Sequence, residues 1–121
     1  MTETKVSAKS ARMKDVPRNL KGYFLCLLHK GPRWNETSDS PELMMEHLAY
    51  LRVQLEARKF VVAGPVVDEA DDLVGISILQ AGSLEEALQL TNEDPGARAG
   101  RLRMEIRPVF LPSLDAVRVE Y

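Results

Sequence analysis

The pattern of hydrophobic and polar positions in the first half of the chain predicts a strand followed by a helix. Residues 23–30, YFLCLLHK, form a mostly apolar run that ends at a Gly-Pro pair and is too short for an independent helix. This run predicts a strand that is buried on both faces. After a polar loop, Ser40 and Pro41 are suited to the N-cap and the first position of a helix. The helix is predicted to continue to about residue 58.

One apolar stripe runs along this first helix, and it includes an imidazole. Met44, Leu48, Leu51 and Leu55 recur at spacings of three and four residues, so they share one face. We expect this face to lie on a sheet. His47 falls on the same stripe, where a hydrocarbon side chain is the usual occupant. This position makes His47 the first candidate for a functional residue.

The next part of the chain predicts two strands and a second helix. Residues 59–67 are β-branched and aromatic up to a Gly-Pro pair, which predicts a strand with a kink or an edge at its end. An acidic turn, DEADD, leads into a third predicted strand, LVGISIL, at residues 73–79. Ser83 and Glu86 form an S-x-x-E capping box that opens the second helix. Its predicted inward face contains Leu84, Ala87, Leu88 and Thr91.

A fourth strand completes a recognisable order of elements. In residues 101–110, RLRMEIRPVF, apolar and charged side chains alternate, so one face of the strand is apolar and the other is charged. The order β-α-β-β-α-β predicts an α+β fold, the ferredoxin-like plait, with a four-stranded antiparallel sheet and both helices on one face. The other face remains uncovered, and a chain of this size has no third layer. We therefore expect a homodimer that forms through the open sheet face.

Length and composition predict one domain with two extensions. The 121 residues suffice for one core, which we assign to residues 20–110. Residues 1–19 lack periodicity and are predicted to be a flexible basic tail, although a transit peptide has a similar composition. The pattern leaves the C-terminal extension, residues 111–121, undetermined. Hydrophobic residues make up 45% and charged residues 28% of the chain, which is an ordinary globular balance.

Charge and cysteine content narrow the partners and the compartment. A formal net charge of −2 gives no general reason to expect nucleic acid as a partner. No apolar run approaches the roughly 20 residues needed to cross a bilayer, so no membrane partner is expected. The single cysteine, Cys26, cannot form an internal disulfide, which favours a reducing compartment. We expect a cytoplasmic protein in which Cys26 is a small buried hydrophobic residue.

Several segments together resemble the YCII-related (YciI-like) family. They are HLAYLRVQLEARKFVVAGPVVD, GISILQAGSLEEALQL and EDPGARAGRLRMEIRPVF, and the resemblance extends over about residues 22–110. It implies a dimeric α+β barrel built on the ferredoxin-like plait. It also implies chemistry on small molecules, because the family contains a dehydrochlorinase of a chlorinated hydroxyquinol. Relatives that share the barrel include isomerases and monooxygenases of small aromatic compounds.

The resemblance also implies a His-Asp pair, which in this sequence is His47 and Asp94. An ordinary imidazole titrates near pH 6.5, so a histidine can accept and return a proton at neutral pH. Each residue of the pair also has a structural alternative to proton transfer. His47 can be a hydrogen-bonded core residue, and Asp94, which precedes Pro95, can be the N-cap of a short helix over PGARAG. The capping role and a contact with His47 are compatible, since a carboxylate has two oxygens.

Four further residues are candidates for binding a substrate. Lys30 and Trp34 follow the first strand, where a cation and an indole can hold an anionic or aromatic molecule. Ser77 lies on the third strand, and Asp68 follows the second. Their structural alternatives are a solvated loop, an ordinary strand serine and a turn. No spacing of histidine, cysteine or acidic residues predicts a metal site, and no motif predicts a cofactor.

These observations lead to two hypotheses about function. The first is a cofactor-independent enzyme that uses His47 and Asp94 for proton transfer on an aromatic or enolisable small molecule. Its reaction would be an isomerisation or an elimination of the lyase or dehydrochlorinase type. The second is a non-catalytic dimeric module that binds a ligand or a protein, in which His47 and Asp94 form a structural pair. An enzyme requires the imidazole to face a cavity, whereas a structural pair can be fully enclosed.

Overall fold

A computed structural model describes residues 17–68 and 70–121 of the chain. Residues 1–16, which are most of the predicted N-terminal tail, lie outside the described residues. The described part forms four strands and three helices. In chain order they are β1 (Leu20–Lys30), α1 (Pro41–Glu56), β2 (Phe60–Pro65), β3 (Leu73–Leu79), α2 (Leu84–Asn92), α3 (Pro95–Arg98) and β4 (Leu102–Pro112).

The strands form one antiparallel sheet in the order β2-β3-β1-β4. On one face of the sheet, alternate side chains of the strands pack on α2 to form the core. The buried residues of this core are Cys26, Leu28, Phe60, Leu79, Ala87, Leu90 and Leu102. The predicted α+β fold, the ferredoxin-like plait, is confirmed. Cys26 is fully buried in this core, as predicted.

The adjacent strands β1 and β4 are longer than the hydrophobic pattern predicts. β1 begins at Leu20 rather than at Tyr23, and β4 continues to Pro112 rather than ending at Phe110. The extra residues of the two strands pair with each other, as in the register Leu20–Pro112. Pairing with a neighbouring strand therefore extends both strands into sequence that has no strand-like pattern of its own.

The apolar stripe of α1 does not lie flat on the sheet as expected. Leu51 and Leu55, near the C-terminal end of α1, pack against the core. Towards the N-terminal end, Met44 is 43% exposed and Leu48 is 54% exposed, and no residue of α1 is fully buried. The expectation of a buried stripe is wrong for this half of the helix, because a gap separates it from the sheet.

The buried face of α2 is rotated from the predicted one. Ala87 and Thr91 are buried, as predicted, but the third buried residue is Leu90. Leu84 and Leu88 are 49% and 39% exposed. The three buried positions follow the i, i+3, i+4 spacing of one helix face. This face is rotated about the helix axis from the predicted face by less than the angle between two successive residues.

Charged side chains on the open face of the sheet pair with one another. His29 Nδ1 lies 3.1 Å from a carboxylate oxygen of Asp72, and its Nε2 lies 2.8 Å from a carboxylate oxygen of Glu105. Arg107 donates to Glu105, and Arg103 lies 3.6 Å from Asp72. These contacts hold the pKa of the Glu105 carboxyl below its ordinary value, first through the hydrogen bond with His29 and then through that with Arg107. The predicted homodimer through this face remains a prediction.

The segment after β4 crosses the end of the sheet towards α1. The Leu114 backbone N–H donates to the hydroxyl of Tyr23 on β1. Arg58, just after α1, donates from its guanidinium to the backbone oxygens of Val117 and Leu114 at 2.7 and 3.2 Å. The segment ends at Tyr121, whose ring centre lies 4.0 Å from the Arg52 guanidinium carbon on α1.

Among the described helices, none combines the length and the apolar character that crossing a membrane requires.

Candidate active site

The gap between α1 and the sheet is a cavity of about 580 Å³. This volume lies in the range of small-molecule sites. The walls come from α1, α3, all four strands, the loop after β1 and the C-terminal segment. Most of the lining is apolar, and its polar or aromatic side chains belong to Trp34, His47, Arg52, Ser77, Arg101 and Tyr121.

His47 and Asp94 contact each other at one end of this cavity. His47 Nδ1 lies 2.7 Å from Oδ2 and 2.9 Å from Oδ1 of Asp94. The side chain of Asp94 is only 2% exposed, and that of His47 is 15% exposed. Because a carboxylate only accepts hydrogen bonds, Nδ1 carries the proton in this contact. In a neutral ring, Nε2 then has the free lone pair.

Local sequence places the Asp94 carboxylate. Asp94 is the N-cap of α3, and its Oδ1 accepts the Gly96 backbone N–H at 2.7 Å. Pro95 fits the first helical position because its missing N–H is not required there. The same carboxylate therefore caps α3 and contacts His47, so both roles that the sequence allows occur together. The catalytic role of the pair is a proposal, taken up below.

The accessible side of the imidazole is the side that faces away from Asp94. In the described part of the chain, no buried side-chain nitrogen or oxygen lacks a hydrogen-bond partner. His47 is half-buried, and its only hydrogen bonds to described residues use Nδ1. It follows that Nε2 is accessible. Since His47 lines the cavity, a molecule bound there can reach this nitrogen.

A stacked pair of Trp34 and Arg101 forms another part of the wall. The Arg101 guanidinium carbon lies 3.8 Å from the centre of the Trp34 ring. Arg101 Nη1 also donates to the Trp34 carbonyl oxygen at 3.1 Å and to the Thr37 hydroxyl at 3.2 Å. The Gly31 N–H donates to the Arg101 carbonyl, and a Cβ on Gly31 would lie 2.9 Å from the Arg101 carbonyl carbon. Glycine at this position thus allows the loop after β1 to approach Arg101 closely.

The structure separates the candidate residues into three groups. His47, Trp34 and Ser77 line the cavity, and Asp94 reaches it through His47. Lys30 is not part of the lining, although its ammonium lies 5.5 Å from the Trp34 ring centre. Asp68 lies elsewhere, in an exposed turn where its carboxylate accepts the Ala70 N–H at 3.0 Å. This is the turn role that the sequence offers as the alternative for Asp68.

Sequence reasoning misses three cavity residues, namely Arg52, Arg101 and Tyr121. Arg52 lies on α1 one residue after Leu51, so the helix pattern could have placed it at the edge of the apolar stripe. Arg101 directly precedes β4, and nothing in its local sequence distinguishes it from neighbouring arginines. Tyr121 belongs to the extension whose structure the pattern leaves open. These two residues reach the cavity only through the tertiary fold.

Two other ionisable groups near the site are unsuited to acid-base chemistry at neutral pH. Burial raises the pKa of the Cys26 thiol to about 12, against a smaller opposing effect of the Ser77 hydroxyl. Burial also raises the pKa of Tyr50 to about 12, and the carboxylates of Glu93 and Asp94 add to this effect. Both groups stay protonated at neutral pH.

The described residues contain no group of three or more His, Cys, Asp or Glu side chains placed to hold a metal ion.

Comparisons with known proteins agree with the observed fold. No curated protein matches the chain. Among solved structures, the chain is similar to 5-chloro-2-hydroxyhydroquinone dehydrochlorinase (TftG) from Burkholderia phenoliruptrix in complex with 2,5-dihydroxybenzoquinone. The two share 27% sequence identity with a TM-score of 0.52, over 70% of this chain and 90% of that chain. The model of the YCII-related domain matches residues 23–110, so this chain belongs to the YCII-related family.

Proposed function

We propose that this protein is a cofactor-independent enzyme that transfers a proton on an aromatic or enolisable small molecule. The observation that carries the proposal is the contact of 2.7 Å between His47 Nδ1 and the buried Asp94 carboxylate, next to a cavity that His47 lines. A catalytic base needs a fixed tautomer and an accessible second nitrogen. His47 has both properties.

In the proposed mechanism, Nε2 of His47 removes a proton from the substrate. Asp94 accepts the Nδ1–H throughout, so it orients the ring and stabilises the imidazolium that forms. In an isomerisation, the imidazolium returns the proton to another atom of the substrate. In an elimination, the electrons of the bond to the removed proton form a new double bond. The leaving group departs with the electron pair of its own bond to the substrate. The imidazolium then releases its proton to water.

Similarity to the dehydrochlorinase supports the elimination. Loss of hydrogen chloride is one such reaction, and the solved relative acts on a hydroxylated aromatic ring. The cavity of this chain has room for one such ring, and its mostly apolar walls suit the ring faces. We therefore take small hydroxylated aromatic compounds, with or without a halide, as the first substrates to test.

The decisive experiment measures chloride release from 5-chloro-2-hydroxyhydroquinone by the full chain. Replacing His47 with Gln removes the base and keeps a polar side chain of similar size. We expect kcat to fall by about 10²–10⁴-fold, which is the usual contribution of one positioned acid or base. His29→Gln is the matched control, because His29 lies on the other face of the sheet between Asp72 and Glu105. That variant should keep its activity.

Asp94→Asn tests the positioning role separately. Asparagine still caps α3 but no longer stabilises an imidazolium, so we expect a loss in kcat with little change in KM. Turnover that survives His47→Gln would contradict the proposal. Binding of the substrate by the wild-type chain with no release of chloride, and no rearranged product, would instead favour the non-catalytic binding module.

A further inference from the structure

Of the side chains that the structure describes, those that line the cavity carry positive charge and no negative charge. Among the described residues of its wall, the ionisable side chains are those of His47, Arg52, Arg101 and Tyr121. Within residues 17–68 and 70–121, no aspartate, glutamate or lysine side chain belongs to the lining. The Asp94 carboxylate lies behind His47, where it accepts hydrogen bonds from the ring and from a backbone N–H. A mostly apolar cavity with two guanidinium groups favours an anion.

Arg101 is the cation that is best placed to bind this anion. Its two hydrogen bonds to described residues both use Nη1, so they leave Nε–H and the two N–H groups of Nη2 without a described acceptor. No described carboxylate forms an ion pair with Arg101 within 4.0 Å, whereas Arg33 and Arg52 each have a glutamate at 3.4 Å. Since no buried polar atom of the described residues lacks a partner, the free edge of Arg101 is accessible.

The geometry of a guanidinium defines the ligand that fits this edge. Nε–H and one Nη2–H point in parallel, so they donate to the two oxygens of a carboxylate or to the adjacent oxygens of an acidic dihydroxyquinone. The contacts of Nη1 with Trp34 and Thr37, together with the stacking on the Trp34 ring, hold the group in one orientation. A pre-oriented guanidinium loses little side-chain entropy on binding.

We propose that Arg101 is an anion subsite of the cavity, and that the ligand is a small aromatic compound with a carboxylate or an equally acidic pair of oxygens. Arg101 would hold the anionic end, and the apolar wall would hold the ring. That the bound anion is the substrate of His47 rests on the proposed function. That an anion binds at Arg101 rests on Arg101 and the cavity alone.

The test compares two probes of the same shape that differ in charge, 2,5-dihydroxybenzoate and 2,5-dihydroxybenzamide. Each is titrated into the full ¹⁵N-labelled chain, and the amide resonances of Gly75 and Ser77, which line the cavity, report binding there. We expect the carboxylate to bind at least tenfold more tightly than the amide. Arg101→Gln should remove this preference, and Arg101→Lys should keep part of it, since lysine retains the charge without the fork.

Arg98→Gln is the matched control variant. Arg98 is exposed, lies three residues before Arg101 and does not belong to the lining of the cavity. This variant should keep the full preference for the carboxylate. Urea denaturation of each variant shows whether it is folded, and the lysine variant provides the result if the glutamine variant is not.

Three outcomes would overturn the inference. One is equal affinity for the two probes in the wild-type chain. Another is an unchanged preference in both Arg101 variants. The third is a response confined to residues 37–40, which line a smaller depression that Arg101 also borders. The proposed function can fail independently of this inference. If the chain prefers the carboxylate probe but His47→Gln retains turnover, Arg101 is still an anion subsite and His47 is not the catalytic base.

Discussion

His47 occupies a helix position where packing on a sheet would ordinarily bury a hydrocarbon side chain. A buried polar nitrogen without a partner costs about 1–3 kcal/mol, so an imidazole on this stripe needs a reason to be there. The structure supplies two. The Asp94 carboxylate satisfies Nδ1, and the stripe faces a cavity at this point rather than a packed core. The position is therefore compatible with a base that must stay accessible.

A second residue-scale feature is the pKa of Glu105 on the open sheet face. The hydrogen bond with His29 and that with Arg107 hold this pKa below its ordinary value of 4.5. A depressed pKa in the folded state contributes stability at any pH above the ordinary value. This contribution is lost as the pH falls below 4.5 and through the folded-state pKa.

We therefore expect Glu105→Gln to flatten the acid limb of the stability curve. The urea midpoint of the wild-type chain should fall between pH 5 and pH 3 by more than that of the variant, a window of roughly two units around the ordinary value. Glu120→Gln, at an exposed position of the C-terminal segment, is the control and should follow the wild type. Parallel curves for wild type and Glu105→Gln would mean that the contacts of Glu105 do not stabilise the fold.

At the scale of elements, the end of α1 and the C-terminal segment are held together by Arg58. Arg58 has a positive φ of 61°, which is unfavourable for any residue other than glycine. Its guanidinium donates to three backbone oxygens in the C-terminal segment, at 2.7, 3.2 and 3.4 Å. These bonds tie the segment that carries Tyr121 to α1, and so they also support one wall of the cavity.

We expect Arg58→Ala to lower the free energy of unfolding by about 1–3 kcal/mol, because it removes hydrogen bonds from a charged donor and keeps the strained backbone. Arg58→Gly removes the same bonds but relieves the backbone, so it should be less destabilising than Arg58→Ala. Urea denaturation at neutral pH measures both changes.

Lys59→Ala, at the adjacent exposed position, is the control for these two variants. Limited trypsin digestion adds a local readout, since cleavage after Arg118 should accelerate in the two Arg58 variants only. If Arg58→Ala has no larger effect than Lys59→Ala on either measurement, the segment is not held by Arg58.

At the scale of the whole molecule, the main question is what covers the open face of the sheet. Leu25 and Leu27 of β1 lie on the face opposite Cys26 and Leu28, and their neighbours on β3 are Ile78 and Ile76. Leu25 and Leu27 are each only partly buried in the single chain. Apolar side chains that lie together on an exposed sheet face, beside a polar and charged margin, are typical of an interface between subunits. We keep the prediction of a homodimer through this face.

Leu25→Lys should convert the predicted dimer into a monomer. The new ammonium would lie beside Arg107, its pairing partner on β4, and association would have to bury this unpaired charge. Sedimentation equilibrium should report a mass of two chains for the wild type and of one chain, 13.6 kDa, for the variant. Val67→Lys, at a site that is 89% exposed and outside the sheet, should remain a dimer. A wild type that sediments as one chain would refute the predicted assembly.

Local signals account for what could be predicted of the fold. Ser40, Ser83 and Asp94 cap the three helices, as their spacing to the following residues indicates. The third strand, residues 73–79, has the predicted bounds because turn residues mark both of its ends. The extra residues at the ends of β1 and β4 could not be predicted, since only their mutual pairing makes them strands.

The sequence by itself determined the order of the elements, the helix caps and the two residues of the His47–Asp94 pair, because these depend on neighbours along the chain or on a family pattern. Only the tertiary structure decided that α1 leaves a cavity above the sheet and that Arg101 and Tyr121 line it. Arg101 contacts Trp34 across 67 positions of sequence. A contact over that distance depends on how the strands are paired and on how far a helix stands from its sheet, and no local pattern encodes either.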